Sequence, residues 1–441
     1  MDKNKTGKFP HIKKLLIKGG KIVSSNGGII ENSDLLLSNK KILAISSHNK
    51  KFLDFTPDEV IDAKNKIVCP GFIDCSVRIR KSGFEFRSTL ESEIDASVAG
   101  GVTNIICPPD THPTIDEPGL AKMLIQKAHN YQKSHVYPLG ALTKGLKGKI
   151  ISEMAELSKA GCVGFTQSNK PIKDTLVLLK ALQYASSFNL SVWLNPVDPW
   201  LGNNGVAHSG SVSTRLGLSG IPSQSESISI LTILELVRLL DVKVHFCRVS
   251  SFRGVELIRE AKREGLNVTA DVSIHHLHLT HIDIESFNTN IKTFPPFRTE
   301  RDKKALSEGL IDGTIDFICS DHISVEEEDK NLPFSQAEAG LMGVELLLPL
   351  TLKWARDNNI NLQKALSFIT TQPSKVLGLK QPGLKIGEVA DICIFDEYES
   401  WCVDSKTLST QTRNSPFYGY EVQGRVYATI IDGVCFYNKK I

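Results

Sequence analysis

The triplet Ser320-Asp321-His322 sets a carboxylate beside an imidazole, directly after the apolar run 316–319. An acid at the end of a strand is the kind of group that holds a cation or moves a proton, and His322 is read as orienting Asp321. A second group gathers imidazoles: His275, His276, His278 and His281 fall within seven residues. Four imidazoles could bind zinc, but alternate residues of a strand-to-loop segment point to opposite faces, which speaks against one cradle. His245 lies inside an apolar run and reads as a hydrogen-bonded core residue. The nine cysteines are far apart with no CxxC pair, so they read as reduced core thiols of a cytosolic protein.

These residues sit in a repeating pattern. Short β-branched runs at 102–106, 136–139, 163–165, 191–194, 242–246, 267–272 and 316–319 alternate with amphipathic stretches such as 254–263. Repeated βα units over some 300 residues predict a (β/α)8 barrel. A doubly wound sheet fits less well, because no GxGxxG follows the first strand. Short apolar runs with turns recur at both chain ends, and neither end carries enough apolar surface to stand alone. A small β domain built from both ends is expected. Residues 202–220, rich in Gly and Ser, read as a flexible connection above the barrel mouth, and the acids 326–329 read as a solvated loop.

Composition bounds the function. A chain of 441 residues with 41% hydrophobic and 23% charged residues is of ordinary globular type. A net charge of +3 is too small to argue for nucleic acid, and no apolar run is long enough to span a membrane. The lysine-rich start reads as a solvated tail.

Residues 68–115 carry a resemblance. Val68-Cys69-Pro70-Gly71-Phe72-Ile73-Asp74, Gly100-Gly101-Val102-Thr103 and Cys107-Pro108-Pro109-Asp110-Thr111-His112-Pro113 resemble the opening of a dihydroorotase of the long bacterial class, in the amidohydrolase superfamily. Later blocks continue in order: Thr269-Ala270-Asp271-Val272-Ser273-Ile274-His275-His276-Leu277, Pro295-Pro296-Phe297-Arg298, Ser320-Asp321-His322, Gly340-Leu341-Met342-Gly343-Val344-Glu345 and Asn414-Ser415-Pro416-Phe417. The resemblance spans residues 12–437 and implies a metallo-dependent-hydrolase-like barrel over 70–379. It also implies a composite β-sandwich over 12–69 plus 380–441.

Family chemistry opens a cyclic amide with metal-bound hydroxide and a Lewis acid. The resemblance places the ligands, and this chain departs from nearly all of them. The His-x-His pair corresponds to Ser76 and Arg78; the carboxylate after the 163–165 strand to Gln167, with Lys170 displaced; the next histidine to Asn195; and the fourth imidazole to Arg248. Asp321 alone matches. A guanidinium within ~4 Å of a divalent cation would repel it by several kcal/mol even at an effective dielectric of about 20. Arg78 or Arg248 is therefore expected to neutralise Asp321 in place of the cation. Among the substrate positions Arg80 matches the family's carboxylate-binding arginine, whereas Asp110 and Phe294 stand where it has asparagines.

The resemblance thus implies a pseudoenzyme of cytoplasmic pyrimidine biosynthesis with no cofactor, where active members use zinc. Its expected role is a structural or regulatory partner of aspartate carbamoyltransferase, with which inactive dihydroorotase-like chains of related systems assemble. A homo-oligomer is expected, with no nucleic-acid or membrane partner. The alternative is an active cyclic amidase with a rearranged metal site, using Asp321 with His245, His275 or His322.

Overall fold

The computed structural model describes residues 14–24, 28–47, 55–79, 89–202, 204–380 and 382–439. Eight parallel strands enclose the central space: Phe72–Asp74, Val102–Cys107, His135–Pro138, Phe165–Thr166, Ser191–Leu194, Lys243–Phe246, Val268–Ser273 and Phe317–Cys319. Their in-register neighbours include Trp193 opposite His245 and Val272 opposite Ile318. Ile73, Ile106, Leu139, Trp193 and Phe317 fill the interior, so the barrel is a packed core and not a pore.

Local sequence explains the helices around it. In Phe252–Arg263 the Ser251 side chain accepts from the Gly254 amide, and Val255, Leu257, Ile258 and Ala261 face inward. Glu300–Asp312 begins with a capping box between Thr299 and Asp302. Gly71 lies so close to Thr103 that a Cβ would come within 2.2 Å of its methyl carbon, which brings the first barrel strand against the second.

A separate eight-stranded sheet joins both chain ends. Ile392–Cys402 pairs with Ile67–Pro70, which lies beside Lys14–Ser24; Glu421–Ile431 and Val434–Asn438 extend one side, Gly28–Ser38 and Lys41–Ser47 the other. Leu15, Ile17, Leu35 and Ile61 pack there with Ile392, Ile394 and Ile430. Neither end could bury these faces alone.

The stretch read as a flexible connection departs from expectation. Strands Ala207–His208 and Gly220–Ile221 pair in parallel and flank the short helix Ser211–Arg215. The buried Arg298 guanidinium supplies the reason, donating to the Ile221 carbonyl at 2.6 Å and meeting His208 Nδ1 at 3.2 Å. Part of the acidic run 326–329 likewise forms a short helix, Glu327–Lys330. No described helix is long and apolar enough to cross a membrane.

Candidate functional site

Asp321 stands just past the end of Phe317–Cys319, buried to 2% exposure. Its Oδ1 accepts from three side chains: Arg78 Nη1 at 2.8 Å, Arg248 Nη1 at 2.9 Å and Ser76 Oγ at 3.1 Å. Both guanidiniums are as deeply buried as the acid. Burial pushes the Asp321 pKa up, but Arg248 and Arg78 outweigh it and bring it down to about 2. For Arg78, burial works against the charge, but Asp110 and Asp321 more than restore it, and the pKa ends raised. The expected pairing of Asp321 is present with both arginines at once.

Asn169 ties the two guanidiniums together. Its Oδ1 accepts from Arg248 Nη2 at 2.6 Å, Arg78 Nη2 at 3.3 Å and Asn195 Nδ2 at 3.1 Å. Asp110 accepts from Arg78 Nε at 3.0 Å. Asp110, which the resemblance sets at a substrate position, is here the second counter-charge of Arg78. Two acids and two guanidiniums leave the floor neutral. Phe294 offers its carbonyl to Arg248 at 3.4 Å. Arg80 lies outside the described residues.

The backbone holding these groups is strained. Asp321 (φ 49°), Arg248 (φ 52°) and Ser168 (φ 52°) all adopt left-handed conformations just beyond strand ends. Each costs about 1 kcal/mol or more, so surrounding bonds must hold them. Around Arg248 the supports are visible. Asp271 accepts from its amide at 2.7 Å, and buried Glu226 accepts from the backbone amides of Ser250 and Ser251 at 2.9 Å and from both hydroxyls. The supporting roles of Asn169, Asp271 and Glu226 were missed from sequence. No local signal marks them, because each acts on a partner at least 23 residues away.

The histidines separate. His322 does not orient Asp321: its Nε2 meets Glu93 Oε2 at 2.6 Å and its Nδ1 accepts from the Gly343 amide at 3.1 Å. The reason is register, since His322 pairs with Val77 in a two-stranded extension and its ring is carried toward the first barrel helix. His245 is a core residue, stacked on Phe317 and bonded to Thr269 and Asp271. His278 bonds the Leu350 carbonyl, His281 the Arg298 carbonyl, and His276 packs on Phe297. His275 packs on Phe417, and neither of its ring nitrogens has a hydrogen-bond partner. Among the described residues the run forms no metal-binding cluster.

These residues do not fit a divalent cation. Ser76 donates to Asp321, Gln167 Oε1 accepts from Thr143 Oγ1 at 2.9 Å, and Asn195 donates to Asn169 with its own Oδ1 unbonded, so the set offers only weak neutral oxygens beside the acid. Both guanidiniums lie against the one acid that a cation would have to share. Each would repel a divalent ion at ~4 Å by roughly 8 kcal/mol at an effective dielectric of about 20, before any offset from the acids. One other cluster nearby brings His245, Cys247 and Asp271 within 4.8 Å of one another, but His245 and Asp271 already bond each other at 2.9 Å. Burial pushes the Cys247 thiol well above its usual range, away from the thiolate a metal requires.

Comparison with known proteins agrees with this architecture. A family model described as Dihydro-orotase-like matches residues 65–253, and one described as Amidohydrolase family matches 229–435. A dihydroorotase from Geobacter sp. (strain M21) is 35% identical over 424 residues, covering 96% of this chain and 99% of its own. The chain belongs to the dihydroorotase family. A second dihydroorotase, from Acetivibrio thermocellus, is 36% identical over 428 residues, covering 97% of this chain and 100% of its own. Among solved structures, L-hydantoinase from Arthrobacter aurescens superposes with a TM-score of 0.84 at 25% identity, over 97% of this chain and 96% of that one. Of the positions that the resemblance assigns to metal ligands, Ser76, Arg78, Asn195, Arg248 and Asp321 join one arginine–carboxylate network, whereas Gln167 bonds Thr143.

Proposed function

We propose that this dihydroorotase-family chain is a non-catalytic member, acting in the cytoplasm as a structural or regulatory partner of aspartate carbamoyltransferase. One observation carries the first half. The single acid left at a family ligand position is bound by two buried guanidiniums at 2.8 and 2.9 Å. A carboxylate so held has its charge already matched by two guanidiniums that repel a cation, and it lacks the basicity to take a proton from water, its pKa lying near 2. The partner is inferred from the resemblance: a family architecture kept over nearly the whole chain with its ligand positions replaced is what a scaffold role would leave.

A second reading has specific support. The relatives at 35–36% identity are named dihydroorotases, which favours an active cyclic amidase. Such an enzyme would need a rearranged site, and His275 offers two unbonded ring nitrogens for one. Assaying dihydroorotate hydrolysis and carbamoyl aspartate cyclisation, with and without added zinc, separates the two. The non-catalytic reading expects no turnover in either direction. Turnover that scales with protein and vanishes in Asp321→Ala would establish the second reading instead.

A further inference from the structure

A cavity of about 690 Å³ at the barrel mouth adjoins the arginine–carboxylate network through two of its lining residues, Asn169 and Phe294, which both bond Arg248. That size lies in the range of pockets that enclose a metabolite. Two loops bear its cationic groups, one after Gly140–Ala141 and one after Phe165–Thr166. The first carries Lys147 and Lys149, the second Lys170 and Lys173. None of the four forms an ion pair among the described residues; Lys173 lies instead over the exposed Trp200 ring, 4.8 Å from its centroid. The two acids lining the same cavity face backbone donors. Asp174 accepts from the Leu176 amide at 2.8 Å, and Asp198 from the Trp200 and Leu201 amides at 2.9 and 2.7 Å. Four lysines against two acids leave a surplus of two positive charges among the lining residues.

The geometry points to a binding site for a phosphorylated metabolite, held by lysines from two loops and not by a metal. A phosphate carries nearly two negative charges, and an ammonium meets it as a compact point charge with three donors. No arginine fork is among the described lining residues, so recognition rests on point charges, whose attraction grows with the charge of the anion. Asn169, its carbonyl oxygen occupied by three donors, has its amide N–H groups to offer a ligand. The cavity thus favours an anion of higher charge than a single carboxylate. This site goes beyond the non-catalytic reading and does not depend on it, because binding is measured in a chelator, where metal-dependent turnover is silent.

The test uses the full chain in EDTA at low ionic strength, titrated with ATP, pyrophosphate or dihydroorotate by calorimetry and tryptophan fluorescence. Saturable one-to-one binding of ATP or pyrophosphate is expected, with dihydroorotate at least about tenfold weaker. Phosphate binding should draw Lys173 off the indole and change the Trp200 emission, a signal lost in Trp200→Phe. The double variant Lys147→Ala/Lys170→Ala, with an unchanged melting temperature, should bind at least about tenfold more weakly, and added salt should weaken the parent. Three results would each overturn the proposal: no saturation by either phosphate, equal affinity for dihydroorotate, or full affinity in the double variant.

Discussion

Arg78 and Asp321, 243 residues apart in the chain, meet at 2.8 Å with both side chains 2% exposed. Arg248 reaches the same carboxylate oxygen from a third strand end. The contact is a charge-assisted network in a dry environment, where the Coulombic attraction and the desolvation cost are both large.

Removing the acid should therefore be costly even though no catalysis is at stake. Asp321→Ala leaves two buried guanidiniums short of a counter-charge and should lower stability by about 3–5 kcal/mol. Urea unfolding of the variant beside the parent measures it. A change within about 0.5 kcal/mol, the range of ordinary surface substitutions, would show that the pair is relaxed or hydrated in solution.

The same network fixes a pH dependence. The Asp321 pKa is lowered to about 2, below the value near 3.9 of an unfolded aspartate. Above about pH 5 its stabilisation is complete. As pH falls from about 5 to 1 the unfolded chain takes up the proton first, so stability drops, by roughly 2–3 kcal/mol in all for this group. Asp321→Asn removes the titrating group, so the gap between parent and variant in urea midpoint should narrow from pH 5 to pH 3. A constant gap would contradict the lowered pKa.

Metal content gives a direct measure of the site. Protein purified without added metal should hold well under one zinc per chain, and added zinc should not raise its melting temperature as a bound ligand must. Stoichiometric zinc lost in Asp321→Ala would place a cation where the guanidiniums lie.

A partner should register by mass. Mixed at micromolar concentrations with aspartate carbamoyltransferase from the same cell, the chain should elute as a larger complex or alter transferase kinetics. Independent elution with unchanged kinetics would remove the scaffold role and leave the site assignment untouched.

Loss of support should loosen Arg248. Glu226 holds the Ser250-Ser251 turn through four bonds, so Glu226→Ala leaves buried donors unpaired and should cost about 3 kcal/mol or more. Denaturant unfolding checks it; a near-neutral result would mean the turn is held by other contacts.

Sequence by itself determined the barrel, the family and the absence of imidazoles at Ser76, Arg78, Asn195 and Arg248, because side-chain identity and the period of apolar runs are local properties. It also limited the compensation of Asp321 to two named arginines. Tertiary structure decided that both serve, that Asn169 and Asp110 share them, and that His322 turns instead to Glu93, 229 residues distant in the chain. Those outcomes depend on register at strand ends and on left-handed backbone at Arg248 and Asp321. A chain with no glycine at either position gives no local sign of that conformation, which only the surrounding bonds can hold in place.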